Sequence, residues 1–108
     1  MIDLTQKDIR HEYMIQRLRM EIAYQVRLIR LQRGFTQKQL AEKCHTKQPA
    51  IAQVENWNAK FPGINTLRQI AKGLDCALLV RFETWEEIIN SIVPDYEKDK
   101  EMAVDTGP

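Results

Sequence analysis

The chain has little of what marks catalytic, secreted or membrane-inserted proteins. It holds only two cysteines and four glycines, and no apolar run approaches the length needed to span a bilayer. Its first residues show no apolar signal segment, so a cytoplasmic location with no membrane contact is expected. Cys44 and Cys76 each close an apolar helical pattern where a small hydrophobe fits, and reduced, buried thiols are expected there. Cys44 and His45 are adjacent rather than spaced for a metal, and His11 is far off in sequence, so no metal site is expected. There is no glycine loop to cradle a phosphate and no His/Ser/Cys constellation at a workable spacing. The carboxylates fall on helix faces expected to be exposed or in the C-terminal tail. Neither an enzyme nor a cofactor-bearing protein is expected.

A chain of 108 residues with 44% hydrophobic content can build one core but not two comfortable ones. The net charge of +1 hides an asymmetry. Residues 1–47 carry ten Lys/Arg against five Asp/Glu, and residues 48–108 carry six against ten. A basic front and an acidic back suit one face of the molecule to a polyanion, although charge on solvated helix faces can also cluster without a partner.

Taken in order, Thr5 to Asp8 looks like a capped helix start. Met14, Leu18, Ile22, Val26 and Ile29 then recur at helical spacing, with arginines mainly between them and no Pro or Gly before Gly34. This predicts one long helix, or two in line, stopped by Gly34, with the arginines near residue 19 on a solvated face. Two short helices are expected over about 36–44 and 47–56. Thr36 caps the first, Leu40 and Ala41 mark its buried side, Pro49 sits in the first turn of the second, and Ile51 and Val54 point inward. Helices this short need other helices to pack on. A loop with Trp57 and Phe61 as aromatic anchors follows, then a fourth helix capped by Asn65 or Thr66 with Leu67, Ile70, Ala71 and Leu74 inward.

From Cys76 to Glu83 the period changes to two, with Leu78, Val80 and Phe82 on one side. That predicts a strand with no partner in its own chain. Its unpaired backbone groups would be satisfied by a second copy, so Leu78, Val80 and Phe82 are the expected homodimer contacts. A strand laid on its own helices, or added to another protein's sheet, is the alternative. Thr84 opens a short capped helix, and after Pro94 the tail is polar and patternless. The expected organisation is a helical extension over 1–20, a central unit of short helices over 21–75, a strand–helix extension over 76–93 and a flexible acidic tail over 94–108.

The pair of short helices suggests DNA. A helix entering the major groove needs amide-bearing or small side chains near its N-terminus. Gln48 and Gln53 meet that need, because a Gln amide pairs in bidentate fashion with adenine, and Pro49 and Ala50 are small enough for deep seating or for touching a thymine methyl. Gln37 begins the preceding helix where a phosphate would pass, and Lys38, Lys43, Lys47 and Lys60 surround the same surface.

These residues carry a resemblance. T-Q-x-x-L-A at 36–41, Q-P-A-I at 48–51, V-E-N at 54–56 and T-L-R-Q-I-A-K-G-L at 66–74 resemble the xenobiotic-response-element type of helix-turn-helix domain, to which lambda repressor and Cro proteins belong. The resemblance runs from Arg30 to Leu79. It implies a mainly α, lambda-repressor-like helical bundle, here with an extended N-terminal helix and one C-terminal β-strand plus a short helix. It also implies that Gln37 binds the phosphate backbone, that Lys47, Gln48, Pro49 and Gln53 face the groove, and that Glu55 is structural. The sequence departs from the family pattern at His45 and Thr46 in the turn and at Trp57 after Glu-Asn. His45 stands where the family usually has Gly, which predicts either backbone strain or a shifted turn. The C-terminal segment resembles extensions found in prophage regulators and antitoxins. The leading expectation is a sequence-specific transcriptional regulator, a repressor, acting on double-stranded DNA as a homodimer at a palindromic operator. The alternatives are an antitoxin that binds DNA and masks a toxin partner, and a protein-interaction module that does not bind DNA.

Overall fold

The computed structural model describes residues 3–92. The tail expected over 94–108 lies outside the described residues. The elements are α1 (Lys7–Gln32), α2 (Gln37–Lys43), α3 (Gln48–Val54), α4 (Ile64–Leu74) and α5 (Trp85–Ile92). The chain divides into two compact units at Leu78/Leu79.

In the first unit, α1 is one continuous helix of 26 residues, about 39 Å long at 1.5 Å per residue. Its N-cap is Gln6 without a side-chain bond, not Thr5, whose backbone and hydroxyl bond Asp3 instead. Gly34 ends the helix as expected. It lies at φ 75°, and the N–H groups of Gly34 and Phe35 donate to Leu31 and Arg30 carbonyls, satisfying the last turn. Only the C-terminal half of α1 reaches the core, through Ala23, Val26 and Arg30. Ile9, Ile15 and Leu18 further up remain exposed.

Leu40 and Ile51 are fully buried, joined by Ala41, Cys44, Val54, Ile70, Leu74 and Val26, with Ile22, Ile29, Phe35 and Cys76 against them. Each large aliphatic side chain so buried contributes roughly 1.5–3 kcal/mol, enough to hold α2 and α3, which are only seven residues each and unstable alone. α4 crosses α2 at Gly73, where an added Cβ would lie 2.3 Å from the Cys44 Sγ. This glycine is required by the close approach, not by a turn. The N-cap of α4 is Gly63 rather than Asn65 or Thr66, which already lie inside the helix. Trp57 is half-exposed and anchors little, whereas Phe61 is partly buried beneath the Arg19 guanidinium, 5.9 Å from its ring centroid. Arg19 therefore packs on the loop instead of lying on a solvated face.

The expected strand is the main correction. Among the described residues there is no strand, and residues 76–84 run without regular secondary structure between α4 and α5. A strand is defined by its hydrogen-bonded ladder, and a single chain with one such segment offers no second edge. In the second unit a 2.8 Å ion pair joins Arg81 Nε to Glu83 Oε1, two residues apart. α5 begins as expected, with the Thr84 hydroxyl accepting from the Glu87 N–H and Glu86 and Glu87 in the first turn.

Candidate nucleic-acid interface

The corner is built from its caps inward. Thr36 and Gln39 form a reciprocal capping box at the start of α2, with the Gln39 N–H donating to Thr36 Oγ1 at 3.1 Å and the Thr36 N–H to Gln39 Oε1 at 2.8 Å. The helix stops at Cys44 and the chain reverses through His45 at φ 56°. The His45 and Thr46 N–H groups donate to the Glu42 and Ala41 carbonyls, the same closing pattern as at Gly34 but with a Cβ in the left-handed region. The strain expected at His45 is present. α3 then starts from an extended Lys47, with Pro49 in the first turn where its missing N–H has no cost.

Ile51 and Val54 fix one side of α3 in the core, so Gln48, Pro49 and Gln53 are exposed and Ala50 is half-buried. Lys47 precedes them, exposed, and Lys38 and Lys60 are also exposed. Lys43 is held differently. Its ammonium lies 4.7 Å from the centroid of the Phe35 ring, beside a shallow cleft lined by Gly34, Phe35, Gln39 and Glu42. Leu78, Val80 and Phe82 are exposed, Phe82 completely.

Gln37 belongs to a network that local sequence reading does not find. Arg30 is buried, and its fork grips Glu55 through Nε–Oε2 at 2.7 Å and Nη2–Oε1 at 3.0 Å, while Nη1 donates to the Phe35 carbonyl at 2.8 Å. The Gln37 amide donates to Glu55 Oε1 at 3.3 Å. Arg30, from α1, thus clamps the end of α3 and the entry to α2. The hydrogen bond to Glu55 raises the Arg30 pKa above its ordinary value, with burial opposing, so the guanidinium keeps its charge. Glu55 is structural, as the resemblance implies. A signal for Arg30 existed: it follows Val26 by four and Ala23 by seven, which is the buried side of α1. Arg33 is a second such residue, its guanidinium donating to the Leu74 and Asp75 carbonyls at the end of α4. Cys44 is buried against α4, and burial pushes its thiol pKa up.

The chain is similar to several known proteins. A competence pilus inhibition repressor of Acinetobacter baylyi is 36% identical over 72 residues, a match covering 66% of this chain and 64% of that protein's length. Among solved structures, C.Esp1396I bound to a 19 base pair DNA duplex is similar with a TM-score of 0.52 and 32% identity, over 56% of this chain and 79% of that one. A chain of the HipA-HipB-O2-O3 complex is similar with a TM-score of 0.53 and 29% identity, over 61% of this chain and 92% of that one. Residues 26–80 match the helix-turn-helix family. The chain belongs to that family, of the xenobiotic-response-element, lambda-repressor-like type, whose members are DNA-binding regulators and not enzymes.

Proposed function

We propose that the protein is a sequence-specific, double-stranded-DNA-binding repressor that works as a homodimer on a palindromic operator. The observation that carries this reading is α3 itself. Its inner side is pinned by Ile51, Val54 and the Arg30–Glu55 clamp, while Gln48 and Gln53 stand exposed on a rigid helix. In this reading Lys47, Gln48, Pro49, Ala50 and Gln53 meet base edges in the major groove, and Gln37, Lys38, Lys43 and Lys60 meet phosphates. The likeness to a regulator solved on duplex DNA and to a repressor supports it.

In this reading the homodimer forms by burying the exposed apolar segment around Leu78, Val80 and Phe82 against its copy. The exposure of Leu79, Val80 and Phe82 in the single chain supports this, because surface of that kind is seldom left open to water. Two recognition helices then reach successive major grooves, roughly 34 Å apart. A second reading, an antitoxin that also masks a toxin, is favoured by the likeness to a chain solved in complex with another protein. In it the same apolar segment engages a partner instead of, or as well as, a second copy.

Selection of bound duplexes from a random-sequence pool tests the proposal. An inverted-repeat consensus with half-sites one helical turn apart is the expected result. A single asymmetric half-site contradicts the dimer, and no enrichment contradicts DNA reading and favours a protein-interaction module.

A further inference from the structure

Glu55 accepts more than the Arg30 guanidinium needs. Its side chain is 5% exposed, and the Oε1 atom that takes Arg30 Nη2 at 3.0 Å also takes Gln37 Nε2 at 3.3 Å. A carboxylate only accepts, so the Gln37 amide must turn its NH₂ group, not its oxygen, toward Glu55. One of the two N–H bonds is then used and the other is left over. Gln37 is the first residue of α2 and is half-buried, so this bond selects among few remaining orientations of the side chain.

We propose that Glu55 is a positioning residue for DNA contact: by holding one N–H of Gln37, it fixes the other toward the phosphate that passes the start of α2. This rests on the DNA-binding reading above. Glu55 is also the C-cap of α3, so one carboxylate sets the phosphate contact and the base-reading helix in a fixed relation. An amide fixed in advance loses less freedom when it meets DNA than a freely turning one.

The test must separate positioning from folding. Glu55→Ala leaves Arg30 buried and unpaired and can fail to fold. The paired replacement Arg30→Met with Glu55→Met removes the acceptor while keeping the volume apolar, an exchange that buried ion pairs often tolerate. Phosphate contacts are sequence-independent, so a mixed-sequence DNA duplex at low salt is a sufficient probe. Gln37→Ala should weaken binding about tenfold, the scale of one hydrogen bond to a charged group. The Met pair should weaken it severalfold, and adding Gln37→Ala to the Met pair should bring binding only to the level of Gln37→Ala alone. In nitrogen-15 NMR of the free proteins, one Gln37 side-chain amide hydrogen should exchange more slowly than the other in the wild type, and both alike in the Met pair. Losses that multiply, a Met pair that binds like wild type, or equal exchange in the wild type each overturn the positioning role while leaving DNA binding intact. A wild-type protein that binds no duplex overturns the DNA reading itself, and the positioning role with it.

Discussion

Gly73→Ala tests the packing of α4 on α2 at a single atom. The added Cβ would meet the Cys44 Sγ at 2.3 Å, and behind it the Cys44 nitrogen at 3.2 Å and the Lys43 carbonyl carbon at 3.3 Å. The sulfur is buried in the core and cannot swing into solvent, and the other two atoms are backbone. Overpacking of this kind costs roughly 1–3 kcal/mol, and a contact this short belongs in the upper half of that range. Against it, Ala is the better helix former by about 1 kcal/mol. The clash wins, leaving a net loss of about 1–2 kcal/mol and a fall in Tm of roughly 5–15 °C for a domain of this size. Thermal unfolding by circular dichroism measures it. Cys44→Ala alone should cost about 1 kcal/mol, as for one buried methyl group. The double variant Cys44→Ala/Gly73→Ala should be more stable than the sum of the two losses by about 1 kcal/mol, because the new methyl occupies the space the sulfur vacates. It will not recover fully, since the backbone contacts remain tight. A Gly73→Ala protein as stable as wild type, or two losses that simply add, would refute this account of the helix crossing.

Three further outcomes follow from named residues. His45→Gly should stabilise by about 0.5–1 kcal/mol, since relief of the left-handed backbone outweighs the extra freedom of glycine in the unfolded chain, whereas His45→Val should destabilise; a Val variant with unchanged Tm would contradict the strain. Burial holds the Cys44 thiol pKa up, so less thiolate is present at neutral pH, and half-buried Cys76 should react first with a thiol reagent, Cys44 following only on addition of denaturant. Equal rates in the folded protein would contradict that. Phe82→Asp should convert the proposed dimer to monomer in sedimentation velocity, and an unaltered dimer would rule out the apolar segment as its contact.

The corner was legible because its signals are local. The Thr36 cap, Pro49 in a first turn, the Gly34 stop and the odd His45 each act within a few residues of themselves, and each reappears in the structure. Helical phase likewise separates Gln48 and Gln53 from Ile51 and Val54 without knowledge of the fold. The Arg30–Glu55–Gln37 network spans 25 residues of sequence, and its bonds exist only once α1, α2 and α3 are packed. The role of Gly73 depends on which helix crosses it, and that of Arg33 on where α4 ends. The expected strand failed for the complementary reason: alternation reports a preference for extended backbone, but a ladder requires a second edge that one chain does not contain.

The most direct test of sequence reading by α3 is discrimination, not affinity. Wild type and Gln48→Ala/Gln53→Ala should be titrated at one fixed salt concentration against the duplex recovered by selection and against a scrambled duplex of the same composition. If the two glutamines read bases, the wild type prefers the selected duplex and the variant binds both alike at the weaker, phosphate-driven level, with Tm unchanged. A variant that keeps the full preference would contradict the assignment of α3 as the reading helix.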